Sequence, residues 1–411
     1  AKHKYEKRKN TDDTEIARGL LNKAIELDDN LISAKILLGT TYMQMGDYDE
    51  AMDIYTPALK QAEELGDKRG MGASLNNIGN VHYYKSDYDS ALDYYGRSLA
   101  IAEELGNKRG MGLSLNNIGL VHSNKGNYEE ALDYYGRSLA IKEELGNKYG
   151  MGMSLNNIGV VHANKGEYDK ALDYYGKSLA IQEELGDKRG MGQSLMNIGA
   201  VHYYKGDLDT ALDYYGRALA IQEELGNKYG MGMSLNSIGV VHADKGDLDK
   251  ALDYYGRSLA IKEELGDKYG MGMSLNNIGI VHKEKGDYDK ALDYYARSLA
   301  IQEEIGDKRG MGLSLINIGI VHYFKGDYDK ATESLEKSLT IQKEIGFKGF
   351  ELETTTYLYL SYKHLSKDYD EKQIHSLIKD AENIEFDLNY ALYELLEDKS
   401  YLESAYKQLQ E

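Results

Sequence analysis

The feature that most constrains this chain is its self-similarity. The stretch from Met71 to Gly110 recurs without a gap from Met111, Met151, Met191, Met231, Met271 and Met311, always 40 residues on. A unit repeated this closely buries its apolar face against its neighbours, so the expected architecture is a stack that grows by adding units. A degenerate copy precedes the series and a half copy precedes that. After Phe350 the pattern loosens. The expected organisation is a charged tail over 1–13, a half repeat over 14–30 and a degenerate first full repeat over 31–70. Seven near-identical repeats over 71–350 follow, then a divergent last repeat over 351–385 and C-terminal capping helices over 386–411. The series breaks off inside a helical pattern, which suggests a piece of a longer protein.

Each unit reads as two helices. The first carries Leu75, Ile78, Gly79 and His82 on one face, at spacings of three and four. The second carries Ala91, Leu92, Tyr95, Ser98 and Leu99, with Tyr94, Ile101 and Leu105 as a second apolar stripe. A helix apolar on two sides sits between neighbours. Gly126 suits a left-handed helix end, Asp287 and Asn107 suit helix starts, and Gly106 closes the second helix. The single proline, Pro57, lies inside a second helix, where it removes one hydrogen bond and should kink the helix.

Gly79, Asp87, Tyr88, Ala91, Tyr95 and small Ser98 resemble the tetratricopeptide signature. His82 stands where the signature has an aromatic, and Glu103-Glu104-Leu105-Gly106 replaces its terminal proline. The lengthened unit looks like the 40-residue repeats of LGN/Pins-type scaffolds. The resemblance implies an all-α fold, a right-handed superhelical α-solenoid of stacked antiparallel helix pairs. It also implies that first helices line a concave groove that takes extended peptides or helices.

Positions that drift between copies are free of the duty of stacking. On the first helix these align with Ala73, Asn76, Asn80, Tyr83 and Tyr84, which share a face. One column contains Leu113, Met153, Gln193, Met233, Met273 and Leu313. Another contains Leu120, Val160, Ala200, Val240, Ile280 and Ile320. A continuous exposed apolar strip marks an interaction site, and methionine adapts to varied partners. Tyr83, Tyr84, Tyr203, Tyr204, Tyr323 and Phe324 add aromatic anchors. Beside them runs an asparagine ladder, Asn77, Asn117, Asn157, Asn197, Asn277 and Asn317, flanked by Asn76, Asn116, Asn156, Asn236 and Asn276. Asparagine both donates and accepts, so the row could pair with the main chain of a bound segment. The alternative role of the Asn77 column is a bond to the neighbouring repeat.

Other features have structural readings. Seven histidines in register, His82 to His322, would be held too far apart by stacking to share a metal. They are expected to pack between paired helices, with depressed pKa values if buried. The recurring Glu103-Glu104 pair reads as a solvated helix face. Gly70-Met71-Gly72 has no Lys-Ser/Thr after it, so it is no phosphate loop. No metal, cofactor or catalytic set is expected, because active sites are singular and every candidate here is repeated.

Composition narrows the partners. A net charge of −19 argues against nucleic acid and anionic membranes. No cysteine means no disulfide framework, which fits a cytoplasmic setting. At the C-terminal end, Leu388, Ala391, Leu392 and Leu395 form one stripe, and Tyr401, Leu402, Ala405 and Leu409 another. They read as a cap, or as a tail that docks head-to-tail on a second copy. The expected function is a non-catalytic protein- or peptide-binding scaffold. The alternatives are a peptide-sensing regulatory domain of a larger protein and a self-assembling structural repeat.

Overall fold

The computed structural model describes the backbone of residues 2–381 and 384–410, and the side chains of 14–381 and 384–408. The expectations for a charged tail over 1–13, as regards its side chains, and for Leu409 lie outside the described residues. The chain divides into two compact units, Ala1–Ile221 and Gln222–Glu411. All regular structure among the described residues is helical.

The first unit contains α1 (Lys2–Leu27), α2 (Ile32–Met45), α3 (Tyr48–Leu65), α4 (Lys68–Tyr84) and α5 (Tyr88–Glu104). It continues with α6 (Lys108–Asn124), α7 (Tyr128–Glu144), α8 (Lys148–Asn164), α9 (Tyr168–Leu185) and α10 (Lys188–Tyr204). The division falls within α11 (Leu208–Glu224). The second unit contains α12 (Lys228–Asp244), α13 (Leu248–Leu265), α14 (Lys268–Glu284), α15 (Tyr288–Ile305) and α16 (Lys308–Phe324). After these come α17 (Tyr328–Glu344), α18 (Glu351–His364), α19 (Glu371–Asp380), α20 (Phe386–Leu396) and α21 (Lys399–Gln410).

The packing within a pair follows from one small residue meeting one large one. Leu75, Ile78 and Val81 of α4 and Ala91 and Tyr95 of α5 are buried. Gly79 lies flat against the Tyr95 ring, and a Cβ there would stand 2.7 Å from it. Any side chain at 79 would push the helices apart, and burying a residue the size of Leu75 contributes about 2 kcal/mol. Ser98 Oγ donates to the Gly72 carbonyl at 2.9 Å, which draws the helices together further on.

The turns use glycine and asparagine. Gly106 has φ +60°, a left-handed conformation that ends the second helix at little cost. Asn107 Oδ1 then accepts from the Gly110 amide at 3.1 Å and starts the next helix. Asp287 departs from expectation. It precedes α15, but its side chain makes no cap there. Its carboxylate turns instead to Lys290 and His282. Helix α3 continues through Pro57.

Successive first helices touch one another: α4 with α6, α6 with α8 and α8 with α10, and in the second unit α12 with α14, α14 with α16 and α16 with α18. Successive second helices are not in comparable contact among the described residues. Within each unit the first helices therefore form the tighter, inner layer.

The inner helix face as candidate binding site

Each unit presents its drifting first-helix positions on this inner layer. Leu113 is 51% exposed and Met153 47%, and in the second unit Met233 is 44% and Met273 45% exposed. Leu313 is half-buried. Two turns on, Leu120, Val160, Val240 and Ile280 are half-buried. Tyr84, Tyr204 and Phe324 are exposed at the far end, with Tyr83, Tyr203 and Tyr323 half-buried beside them.

Ile320 does not belong to this surface. It is 3% exposed and joins one buried cluster with Tyr357 of α18 and Leu392 and Leu395 of α20. The expectation of a wet wall fails there because a non-repeated segment covers it. Tyr323 Oη, at 3.4 Å from Glu394, is held by the same segment.

The asparagine ladder binds the repeats to each other. Asn117 Nδ2 donates to Asn76 Oδ1 at 3.1 Å, Asn157 to Asn116 at 3.4 Å and Asn197 to Asn156 at 3.0 Å. In the second unit Asn277 donates to Asn236 at 3.3 Å and Asn317 to Asn276 at 3.0 Å. Asn77 lacks such a neighbour and donates back to the Ala73 carbonyl. Asn76 and Asn116 are buried, which corrects the expectation that they face a ligand. The other asparagines named are half-buried.

Two lysines lie beneath the ladder. Lys142 Nζ donates to Ser154 Oγ at 2.7 Å and to Asn116 Oδ1 at 3.3 Å, and burial pushes its pKa down to about 8. Lys262 Nζ donates to Ser274 Oγ at 2.9 Å, and burial lowers its pKa too.

The histidines lie on the other side of the first helices. Each of the six rings from His82 to His282 stacks on a tyrosine of the following helix, as His162 does on Tyr174 at 5.3 Å. His162, His242 and His282 are buried and the other four half-buried; Nδ1 points towards an acid in both groups, as in His162 with Glu167 and His82 with Asp87. Asn127 replaces that acid beside His122. For His322, burial lowers the pKa against the opposing pull of Asp327. The unfolded chain then takes up the proton first, so this ring gives up stability as pH falls below about 6.5.

Three tyrosines escaped the sequence reading. Tyr149, Tyr229 and Tyr269 are exposed one turn before Met153, Met233 and Met273, on the same helix face. Their column drifts from Arg69 and Arg109 to Tyr149, Arg189, Tyr229, Tyr269 and Arg309, and that drift was the available signal.

A tetratricopeptide repeat profile matches residues 30–104, 110–189, 190–264 and 270–344. The chain belongs to the tetratricopeptide repeat family. Among curated proteins nothing matches it. Among solved structures, this tetratricopeptide chain is similar to the apo form of the quorum sensor NprR from B. thuringiensis. The TM-score is 0.60 at 14% identity, over 86% of this chain and 99% of that one. A Rap protein complexed with competence and sporulation factor gives 0.55 at 15% identity, over 85% and 98%. A signal transduction ATPase with a tetratricopeptide repeat sensor, from Pyrococcus horikoshii, gives 0.60 at 15% identity. That match covers 84% of this chain and 52% of the other, so the tetratricopeptide chain spans about half the ATPase's length. At these identities the likeness is one of fold.

Proposed function

We propose that this chain is a non-catalytic scaffold that holds a protein or peptide segment against its inner helix face. The observation that carries the reading is an exposed apolar strip within each unit, Leu113 and Met153 in the first and Met233 and Met273 in the second, with tyrosines beside three of the four. Water-exposed apolar residues in series serve contact, and methionine re-shapes to its partner. The ladder leaves asparagine atoms such as Asn157 Oδ1 as acceptors for a main chain, while its donors brace the stack.

The test is capture from a peptide library by the wild-type chain and by Met153→Lys/Met273→Lys. Both positions are exposed, so folding should be unaffected and capture should fall at least tenfold. Equal capture by both proteins would refute the reading.

The likeness to a quorum sensor favours a second form of it, a peptide-sensing regulatory domain within a larger protein. The finer likeness to LGN/Pins scaffolds rests on the 40-residue period. Head-to-tail assembly gains less support, since Ala391, Leu392 and Leu395 are buried against the chain itself. A cytoplasmic setting rests on the lack of cysteine. No helix among the described residues is long and apolar enough to cross a membrane.

A further inference from the structure

One layer between repeats is filled differently in different copies. At the position after the isoleucine of the later second helices stand Lys142, Gln182, Gln222, Lys262, Gln302 and Gln342. Each sends an amide or ammonium tip to hydroxyls buried between its own repeat and the next. Gln182 Nε2 donates to Ser178 Oγ at 3.0 Å. Gln302 Nε2 donates to Ser298 Oγ at 3.0 Å, and Gln302 Oε1 accepts from Ser314 Oγ at 2.8 Å.

The copy at 102 has alanine instead, and Gly72 opposite adds nothing. The result is a cavity of about 260 Å³ that reaches the inner face at Ala73, Asn77 and Leu113. The equivalent space beside Gln342, which Phe347 and Phe350 also line, is about 10 Å³. Beside Ala62, Ile32 stands in place of that glycine and lies against Gly70. In the hole, Ser114 Oγ donates to Ser98 Oγ at 3.1 Å and Ser98 Oγ to the Gly72 carbonyl, so Ser98 meets no amide of the kind that Gln182 gives Ser178. Arg69 and Arg109 stand at its rim, and neither forms an ion pair or hydrogen bond among the described residues. Elsewhere an arginine such as Arg97 pairs with an aspartate one turn away.

From this we infer that the Ala102 cavity is a ligand site for a carboxylate carrying a glutamine-like side chain. The amide takes the place that Gln182 and Gln302 fill in their own layers and meets Ser98 and Ser114. The stem covers Ile101 and Leu105. The carboxylate meets Arg69 and Arg109, the residue type whose planar fork fits it best. Free glutamine and the carboxy-terminal glutamine of a peptide share this chemistry. The site does not rest on the scaffold reading, since a free amino acid would occupy it with no peptide in the groove.

Calorimetric titration with L-glutamine, with an acetylated peptide ending in glutamine and with its amidated form tests the site. Saturable binding of either carboxylate is expected, and which one binds identifies the source. Ala102→Gln should abolish it, because the chain then fills its own hole with a residue its other repeats already accommodate. Arg69→Ala/Arg109→Ala should weaken it at least tenfold, and Lys177→Ala, at an exposed position of a second helix, should leave it unchanged. The inference fails if neither carboxylate saturates, if A102Q binds like the wild type, or if the amidated peptide binds as well as the acid.

Discussion

Helices α8 and α16 occupy the same place in their repeats and meet different surroundings. On α8, Met153 is exposed and Asn156, Asn157 and Val160 are half-buried. On α16, Leu313 is half-buried, and Ile316 and Ile320 are sealed in a cluster with Leu392 and Leu395. The substitution of Asn156 by Ile316 suits this, since an amide under α20 would need partners that aliphatic side chains do not offer. An inner face is therefore open only where nothing unrepeated is laid upon it.

The largest effect that separates the two faces comes from one substitution made twice. Ile320→Asn should cost about 3 kcal/mol, from lost burial and an unsatisfied amide. Val160→Asn should cost under about 1 kcal/mol, because the amide meets water. Urea denaturation of the two variants reads the contrast, and equal costs would erase it.

A smaller effect sharpens what holds the open face in place. Asn157→Ala removes the bond to Asn116 Oδ1 and should cost about 1 kcal/mol in the same assay. A melt identical to the wild type would make the ladder ornamental and return Asn157 wholly to ligand contact.

The smallest effect is electrostatic and lies under that face. Lys142 has a folded pKa of about 8, against an ordinary value of 10.5. Between these values the unfolded chain holds a proton that the folded chain has released, so stability rises with pH. From pH 8 to about 9.5, before tyrosines of the unfolded chain ionise, the wild type should gain stability relative to Lys142→Gln. Parallel thermal melts of the two proteins would show that Lys142 is already hydrated.

The helix pairs were legible because their signals are local. The spacing of Leu75, Ile78 and Ala91 and the glycine at 106 repeat within one unit and need no neighbour to interpret. The ladder was legible as a column, but its bonds reach 41 residues back and depend on the rotation between units, which no spacing encodes. The burial of Ile320 was hidden because its cover, α20, lies outside the repeat. Asp287 looked like a cap by residue type alone, and Lys290, three residues on, and His282, five residues back on the preceding helix, compete for the same carboxylate. The Ala102 hole needed two small residues, Gly72 and Ala102, that lie 30 positions apart and face each other only in the folded chain.

Gly79 against Tyr95 has the same geometry as Gly119 against Tyr135 and Gly279 against Tyr295. A mating surface that is identical from copy to copy makes the number of copies a separate variable from their shape. Slippage in the gene that deletes or duplicates 120 base pairs, one 40-residue unit, would produce a junction already proven elsewhere in the same molecule. The length of the inner face can thus be changed by inheritance in fixed steps, while the drifting residues change its chemistry.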